Sequence, residues 1–391
     1  MPKPANYFLI VINKNKRDSY QRVKSGPRAC HTAPQWPHYS VYLRPHFIPL
    51  GLQLSTSFFR NITLLPAIAV ICIASCQNET PANDNTQVAQ PARDSSIAYK
   101  LPDTAAIPHD PMGEMIRYGR ELVMNTSKHI GPKGSAGRYA GNMMNCAHCH
   151  LDGGTRPYAF NFFSTHARYP QYRGRENKVL TLEDRVNNCI ERPLNGRPLG
   201  HESKEMIAIV SYIKWLSTNV PVGQHVKGDE NLDISFPARA ADPQKGAAIF
   251  AENCASCHGA NGQGQLNIEE TAYTYPPLWG PNSYQKGSSA HRITKLARFI
   301  KANMPDKKAT WEKPFLTDEE ALDVAAFIND DSIHPRPDKK PGTPDYPYAK
   351  AKPIDFGTGP FEDSFSAQQH KYGPFTPIVE YHKAHGLPAI Y

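Results

Sequence analysis

Apolar residues fall on a helical period in two similar pairs of segments. The first pair is Met115–Met124 (MIRYGRELVM) and Ser203–Ser217; the second is Pro243–Glu252 and Asp318–Asp330. The leading member of each pair sets a glycine, Gly119 or Gly246, among apolar residues, which suits close crossing by another helix. In the trailing members, Met206, Ile207, Ile209, Val210, Ile213 and Leu216 form one apolar face, and Ala321, Val324, Ala325, Phe327 and Ile328 form the other. Thr317 and Glu320 supply a capping box for the last helix. Strand signals are weak throughout. The expected architecture is all-α, with tandem domains at 110–218 and 242–333 joined by a linker at 219–241. Residues 334–391 show no long helical period, yet their aromatics (Tyr346, Tyr348, Phe356, Phe361, Phe365, Tyr372, Phe375, Tyr381) are too many for a disordered tail. They are expected to form an ordered, loop-rich strap over the domains.

Ahead of these elements, Ile62–Ala74 (ITLLPAIAVICIA) is almost continuously apolar. That run is too short to span a bilayer comfortably and about right for a signal-peptide core. It leads through Ser75 to Cys76 and then into the polar stretch Gln77–Ser96. The arrangement resembles the bacterial lipoprotein box, in which the cysteine is lipidated and becomes the mature N-terminus. Cys76 is therefore the expected lipidation site, residues 1–76 a targeting region, and 77–109 a disordered tether. The protein would be periplasmic and held to the membrane by its lipid. A buried helix with incidental cysteines is the competing reading. Residues 1–60 are aperiodic and unlike a signal n-region; they read as a true extension or as the product of a start codon placed too far upstream.

Charge separates the same regions. The 391-residue chain has a net charge of +8, and residues 1–76 carry that whole excess, with nine Lys/Arg against Asp18 alone. The remaining 315 residues balance 35 bases with 35 acids, so nucleic-acid binding by bulk charge is excluded for the body of the protein.

Four of the eight cysteines form one pattern twice: Cys146-Ala-His-Cys149-His150 and Cys254-Ala-Ser-Cys257-His258. C-x-x-C-H is the attachment signature of c-type haem. Its spacing lets both thiols form thioethers to the porphyrin vinyl groups while the adjacent histidine reaches the iron. A redox dithiol or half a zinc site would explain a single copy. Two copies behind an export signal point instead to two covalently bound haem c groups, with His150 and His258 as iron ligands. The order of helix, motif, loop and helix resembles class I cytochrome c in each domain.

Each iron needs a sixth ligand or an open position. After residue 206 the only methionine is Met304, in Asn303-Met304-Pro305, 46 residues beyond His258. A residue before proline favours extended backbone, which suits a loop crossing a haem face. His291 and Lys301 are its rivals. For the first haem the candidates are His166, Cys189, His201 and Met206, the last more readily assigned to the apolar helix face. Cys189 has no evident disulfide partner, which an exported chain must explain. It stands just before the turn-forming Asn195-Gly196, and from Arg168 to Arg197 there are seven bases and four acids. Cationic surroundings favour a thiolate. A solvated basic face, or pairing with haem propionates, is the plainer explanation for some of those charges.

Taken together, the two CxxCH motifs, the intervening D-R-x-x-x-C-x-x-R-x-x-N-G, the N-M-P and the tail Gly359–Tyr372 resemble the dihaem thiosulfate dehydrogenases over roughly residues 110–385. The first domain of that family is related to the sulfur-oxidation cytochrome of the SoxA type. The resemblance implies oxidation of two thiosulfates to tetrathionate, reversibly, with two electrons passed to a cytochrome c or similar acceptor. It implies His150/Cys189 ligation at a catalytic haem and His258/Met304 ligation at an exit haem, with Arg175 and Arg185 holding the sulfonate. Two positions depart from the family. Pro193 stands where members often carry serine, and Asn303 stands where some carry lysine. The alternative is a non-enzymatic dihaem electron carrier, which would need neither Cys189 nor its arginines; a SoxA-type subunit is a further rival.

Overall fold

The computed structural model describes residues 97–342 and 345–388, so Cys76, the apolar run before it and the tether up to residue 96 lie outside the described residues. The first domain opens with α1 (Pro111–Met124), where the Asp110 side chain caps the Gly113 N–H at 2.8 Å and Pro111 takes the first helical position. The short α2 (Thr126–Ile130) follows. The first haem motif is a single 3-10 turn, Cys146–His148, running into the irregular α3 (Leu151–Gly154). Then come α4 (Leu182–Glu191) and α5 (Lys204–Leu216). The second domain repeats the plan with α6 (Pro243–Asn253), α7 (Ala255–His258) carrying the second motif, α8 (Ile293–Asn303) and α9 (Asp318–Ile328). The C-terminal segment adds α10 (Ala367–Tyr372) and α11 (Thr376–Ala384). Extended structure among the described residues is limited to two antiparallel hairpins: β1 (Gln171–Arg173) with β2 (Lys178–Leu180), and β3 (Gln265–Leu266) with β4 (Tyr273–Tyr275). The fold is all-α, as expected. No helix among the described residues is long and apolar enough to cross a membrane.

The paired helices cross where the glycines predict. A Cβ on Gly119 would lie 2.0 Å from the Ala208 carbonyl oxygen of α5, and one on Gly246 would lie 2.0 Å from that of Asp323 in α9. Only hydrogen at these positions lets the backbones approach so closely. Around the first crossing, Ile116, Leu122, Val123, Met206, Ile209, Tyr212, Ile213 and Leu216 form one core; around the second, Phe250, Leu296, Ile300, Leu322, Val324 and Ile328 form another. Met206 is fully buried, so it belongs to the packing rather than to an iron. Ile207, expected on the apolar face of α5, is instead 46% exposed. The face turns through Ala208 and Tyr212, because helical geometry carries residue 207 about 100° away from 206.

The C-terminal segment crosses both domains. Ile354, Tyr372, Phe375 and Ile378 fill the second core. Arg292, at the start of α8, places its Nε 2.7 Å from the buried Asp355 carboxylate. At the other end, Tyr346 N–H donates to the Arg175 carbonyl at 2.8 Å, and Lys340 donates to the Gly196 carbonyl.

Candidate functional site

Both motif histidines are prepared alike. The His150 Nδ1–H donates to the Phe160 carbonyl, and the His258 Nδ1–H donates to the Pro276 carbonyl at 2.8 Å. That leaves each Nε2 as an acceptor fixed in orientation, the arrangement of a metal-ligating imidazole. Cys146 packs on the first core, while Cys254 and Met304 pack on the second. Among the described residues no three His, Cys, Asp or Glu side chains converge as a cation site. The paired cysteines and the oriented histidine of each motif are the donors that a covalent haem c would use.

Met304 packs on the same core as Cys254. It caps α8 in extended conformation (φ −122°, ψ 143°), with its N–H held by the Ile300 carbonyl at 2.8 Å. Its rivals are engaged elsewhere: His291 Nε2 lies 3.0 Å from the Asp331 carboxylate, and Lys301 is paired with Asp318. Asn303 is buried and donates to the carbonyls of Tyr158 at 3.2 Å and Phe299 at 3.0 Å.

In the first domain, α4 carries Arg185 and Cys189. Thr181 and Asp184 cap each other's backbone N–H groups at its start, and Leu182, Val186 and Ile190 bind one face to the core. Arg185 and Cys189, one turn apart, therefore share a side: Arg185 Nη1 donates to Cys189 Sγ at 3.0 Å. Burial pushes the Cys189 thiol up, but Arg185 and the neighbouring His150 outweigh it and hold the pKa down to about 6. Burial pushes Cys146 up to about 11, Cys149 to about 12 and Cys254 to about 11. Cys189 alone among these is poised as a thiolate, and it faces the imidazole of the first motif. His201 pairs with Asp184 on the surface at 3.2 Å. His166 lies in the 3-10 turn His166–Arg168, where its backbone N–H bonds Ser217 Oγ.

The basic cluster divides in two. Lys178 and Arg197 are solvent-exposed, and Arg197 lies over the Tyr139 ring. Arg175, Arg185 and Arg192 turn inward, and Glu176 takes Arg192 Nη1 at 2.7 Å and adds its field at Arg185. Arg175 is buried, with its Nε on Asp345 at 2.8 Å and its guanidinium 5.5 Å from the Tyr346 ring centroid. Its Nη2 has no hydrogen-bond partner. Arg175 meets the cluster through the field of Arg192. After α4, Asn195 adopts φ +50° and Gly196 N–H bonds the Ile190 carbonyl at 2.8 Å, the turn foreseen at Asn-Gly. The Pro193 carbonyl accepts from Asn142 at 3.0 Å.

Two residues of the site escape sequence reasoning. His148, inside the first motif, accepts from the Asn145 N–H at Nδ1 and donates from Nε2 to the Tyr273 carbonyl of β4, each at 2.9 Å. Burial lowers its pKa to about 4, so it stays neutral as it joins the domains. Glu176 is the other; an acid among bases gives no local sign that it organises them.

Comparison with known proteins agrees with this geometry. Residues 243–331 match the cytochrome c family model, and residues 138–222 match that of the SoxA/TsdA cytochrome c domain. The chain is 34% identical over 279 residues to the thiosulfate dehydrogenase of Stutzerimonas stutzeri, covering 71% of this chain and 85% of that one. It is 37% identical over 254 residues to that of Allochromatium vinosum, covering 64% and 88%. Among solved structures it resembles thiosulfate dehydrogenase TsdBA from Marichromatium purpuratum, with TM-score 0.55, 37% identity and 59% of this chain matched. That match spans about half, 49%, of the longer TsdBA chain. Two cytochrome c domains imply haem c binding. Sequence relationship over most of the length, together with the repeated helical plan, shows that this chain belongs to the dihaem thiosulfate dehydrogenase family.

Proposed function

We propose that the chain is a periplasmic, lipid-anchored dihaem cytochrome c that oxidises two thiosulfates to tetrathionate and passes the electrons to an external cytochrome acceptor. Cys146 and Cys149 would bind one haem through thioethers, and His150 and Cys189 would ligate its iron. Cys254 and Cys257 would bind the other, with His258 and Met304. When bound, the haems accept the two electrons singly; His/Met ligation raises the potential of the exit site. The observation that carries the reading is Cys189, held as a thiolate by Arg185 and facing His150.

The chain's own groups suit the reaction. Thiosulfate is a small dianion, and joining two requires fixed positive charge. Arg185 stabilises the thiolate, while Arg175 has its buried Nη2 available for a sulfonate oxygen. The Cys189 thiolate forms a sulfur–sulfur bond to the sulfane sulfur of one thiosulfate, and two electrons leave. The sulfane sulfur of a second thiosulfate then attacks that of the adduct, displacing the Cys189 thiolate and forming tetrathionate. Neither half-reaction needs a proton, and both can run backwards.

The test is thiosulfate-dependent ferricyanide reduction by haem-loaded protein, with tetrathionate quantified. Two ferricyanides per tetrathionate are expected in the wild type, and no turnover in Cys189→Ala carrying both haems. Normal turnover in Cys189→Ala would remove the covalent route. Silence of the wild type with thiosulfate, and with tetrathionate plus a reduced dye, would leave the non-enzymatic electron carrier.

A further inference from the structure

The loop after the first motif has an uncommon backbone. Tyr158 and Phe160 lie at φ +57° and +50°, the left-handed region that bulky residues rarely enter. Contacts on both sides hold them there. Tyr158 N–H donates to the Gly228 carbonyl at 2.8 Å, and the Tyr158 carbonyl accepts from Asn303. The Phe160 carbonyl accepts from His150 Nδ1. The Phe160 ring stacks on Phe299 of α8, with centroids 5.1 Å apart and planes 11° from parallel. Around that stack, Arg156 pairs with Asp306 at 3.1 Å and Tyr158 packs on Trp311 at 5.0 Å. Phe299 lies in the helix that Met304 caps.

One residue thus touches the ligand-bearing parts of both domains. Its carbonyl orients the imidazole of the first motif, and its ring grips the helix that presents the methionine. We propose that Phe160 is a positioning residue coupling the two axial-ligand sets, so that a change at α8 is felt at His150. A carbonyl bonded to Nδ1–H makes an imidazole a stronger donor and lowers the potential of the metal it binds. Releasing the ring lets the left-handed loop relax and weakens that bond. The proposal rests on the reading of His150 and Met304 as iron ligands.

The experiment uses the full haem-loaded chain. Pyridine haemochrome assay counts the haems, and low-temperature electron paramagnetic resonance with spectroelectrochemistry follows the first haem in Phe299→Leu, Phe160→Leu, the double variant and Phe160→Tyr. Phe299→Leu, although in the second domain, is expected to raise the potential of the first haem and alter its low-spin signal. Phe160→Leu should do the same, the double variant no more than Phe160→Leu, and Phe160→Tyr should stay near wild type. Should Phe160→Leu fail to fold, Phe299→Leu and Phe160→Tyr decide. An unchanged first-haem signal and potential in Phe299→Leu, with two haems per chain, overturns the proposal alone. A wild type lacking two c-type haems overturns it together with the ligand reading.

Discussion

Arg185 offers the sharpest test of the sulfur site. Its Nη1 lies 3.0 Å from Cys189 Sγ, and the thiol stands at about 6 against an ordinary value near 9. At pH 7 the thiolate form of such a group predominates. A charge-assisted hydrogen bond contributes about 1.5–3 kcal/mol, so Arg185→Met should raise the thiol pKa by roughly 1–2 units, with His150 still in place. The same interaction stabilises the thiolate that leaves when tetrathionate forms. The expected loss in kcat/KM at pH 7 is about 10- to 100-fold. Activity needs the thiolate and fails as pH falls through its pKa, so a raised pKa moves the acid limb of the profile upward by about 1–2 pH units. Arg185→Lys keeps a charge without the planar fork and should fall in between. The assay is ferricyanide reduction from pH 5 to 9, with haem content measured on each variant. Arg185→Met that keeps two haems, an acid limb unmoved and kcat/KM within threefold of wild type would refute the reasoning.

At the helix crossing, Gly246→Ala places a methyl against the Asp323 carbonyl and should lower the thermal midpoint, by an overpacking cost of about 1–3 kcal/mol or more. The Asp363 side chain is enclosed and accepts from His382 at 2.8 Å and His370 at 3.0 Å; burial pushes its pKa up, but these bonds hold it below the usual carboxylate range. Its contribution is therefore present above the unfolded value and lost as pH falls through the folded one, so Asp363→Asn should flatten the acid end of a melting-temperature profile and cost about 1–3 kcal/mol at pH 7. Met304→Ala should lower the potential of the second haem, as read by spectroelectrochemistry.

Local signals account for much of the fold. Thr317 and Glu320 cap α9 as expected, and the glycines at 119 and 246 meet their partner helices because backbone contact leaves a mark in composition. The extended backbone at Met304 was legible because proline constrains the residue before it. The α4 helix was not: its apolar Leu182, Val186 and Ile190 are interleaved with charges, and the reading there followed the cysteine instead of the period. Arg175 was named by family resemblance, but the residue that seats it, Asp345, lies 170 residues away, and no local pattern announces a partner at that distance. Phe160 is silent in sequence for the same reason. Its stacking partner belongs to another domain.

The C-terminal strap also imposes an order of assembly. Asp345 holds Arg175, and the residues that follow it lock into the second core through Ile354, Tyr372, Phe375 and Ile378. A ribosome makes the chain from its N-terminus, so both CxxCH motifs exist well before Asp345 does. A polypeptide cut short near residue 335 would still contain every cysteine and histidine of the two motifs, yet would lack the carboxylate that seats Arg175. Premature termination would then give a red protein with an unfinished anion site, separating maturation of the cofactor centres from completion of the substrate pocket.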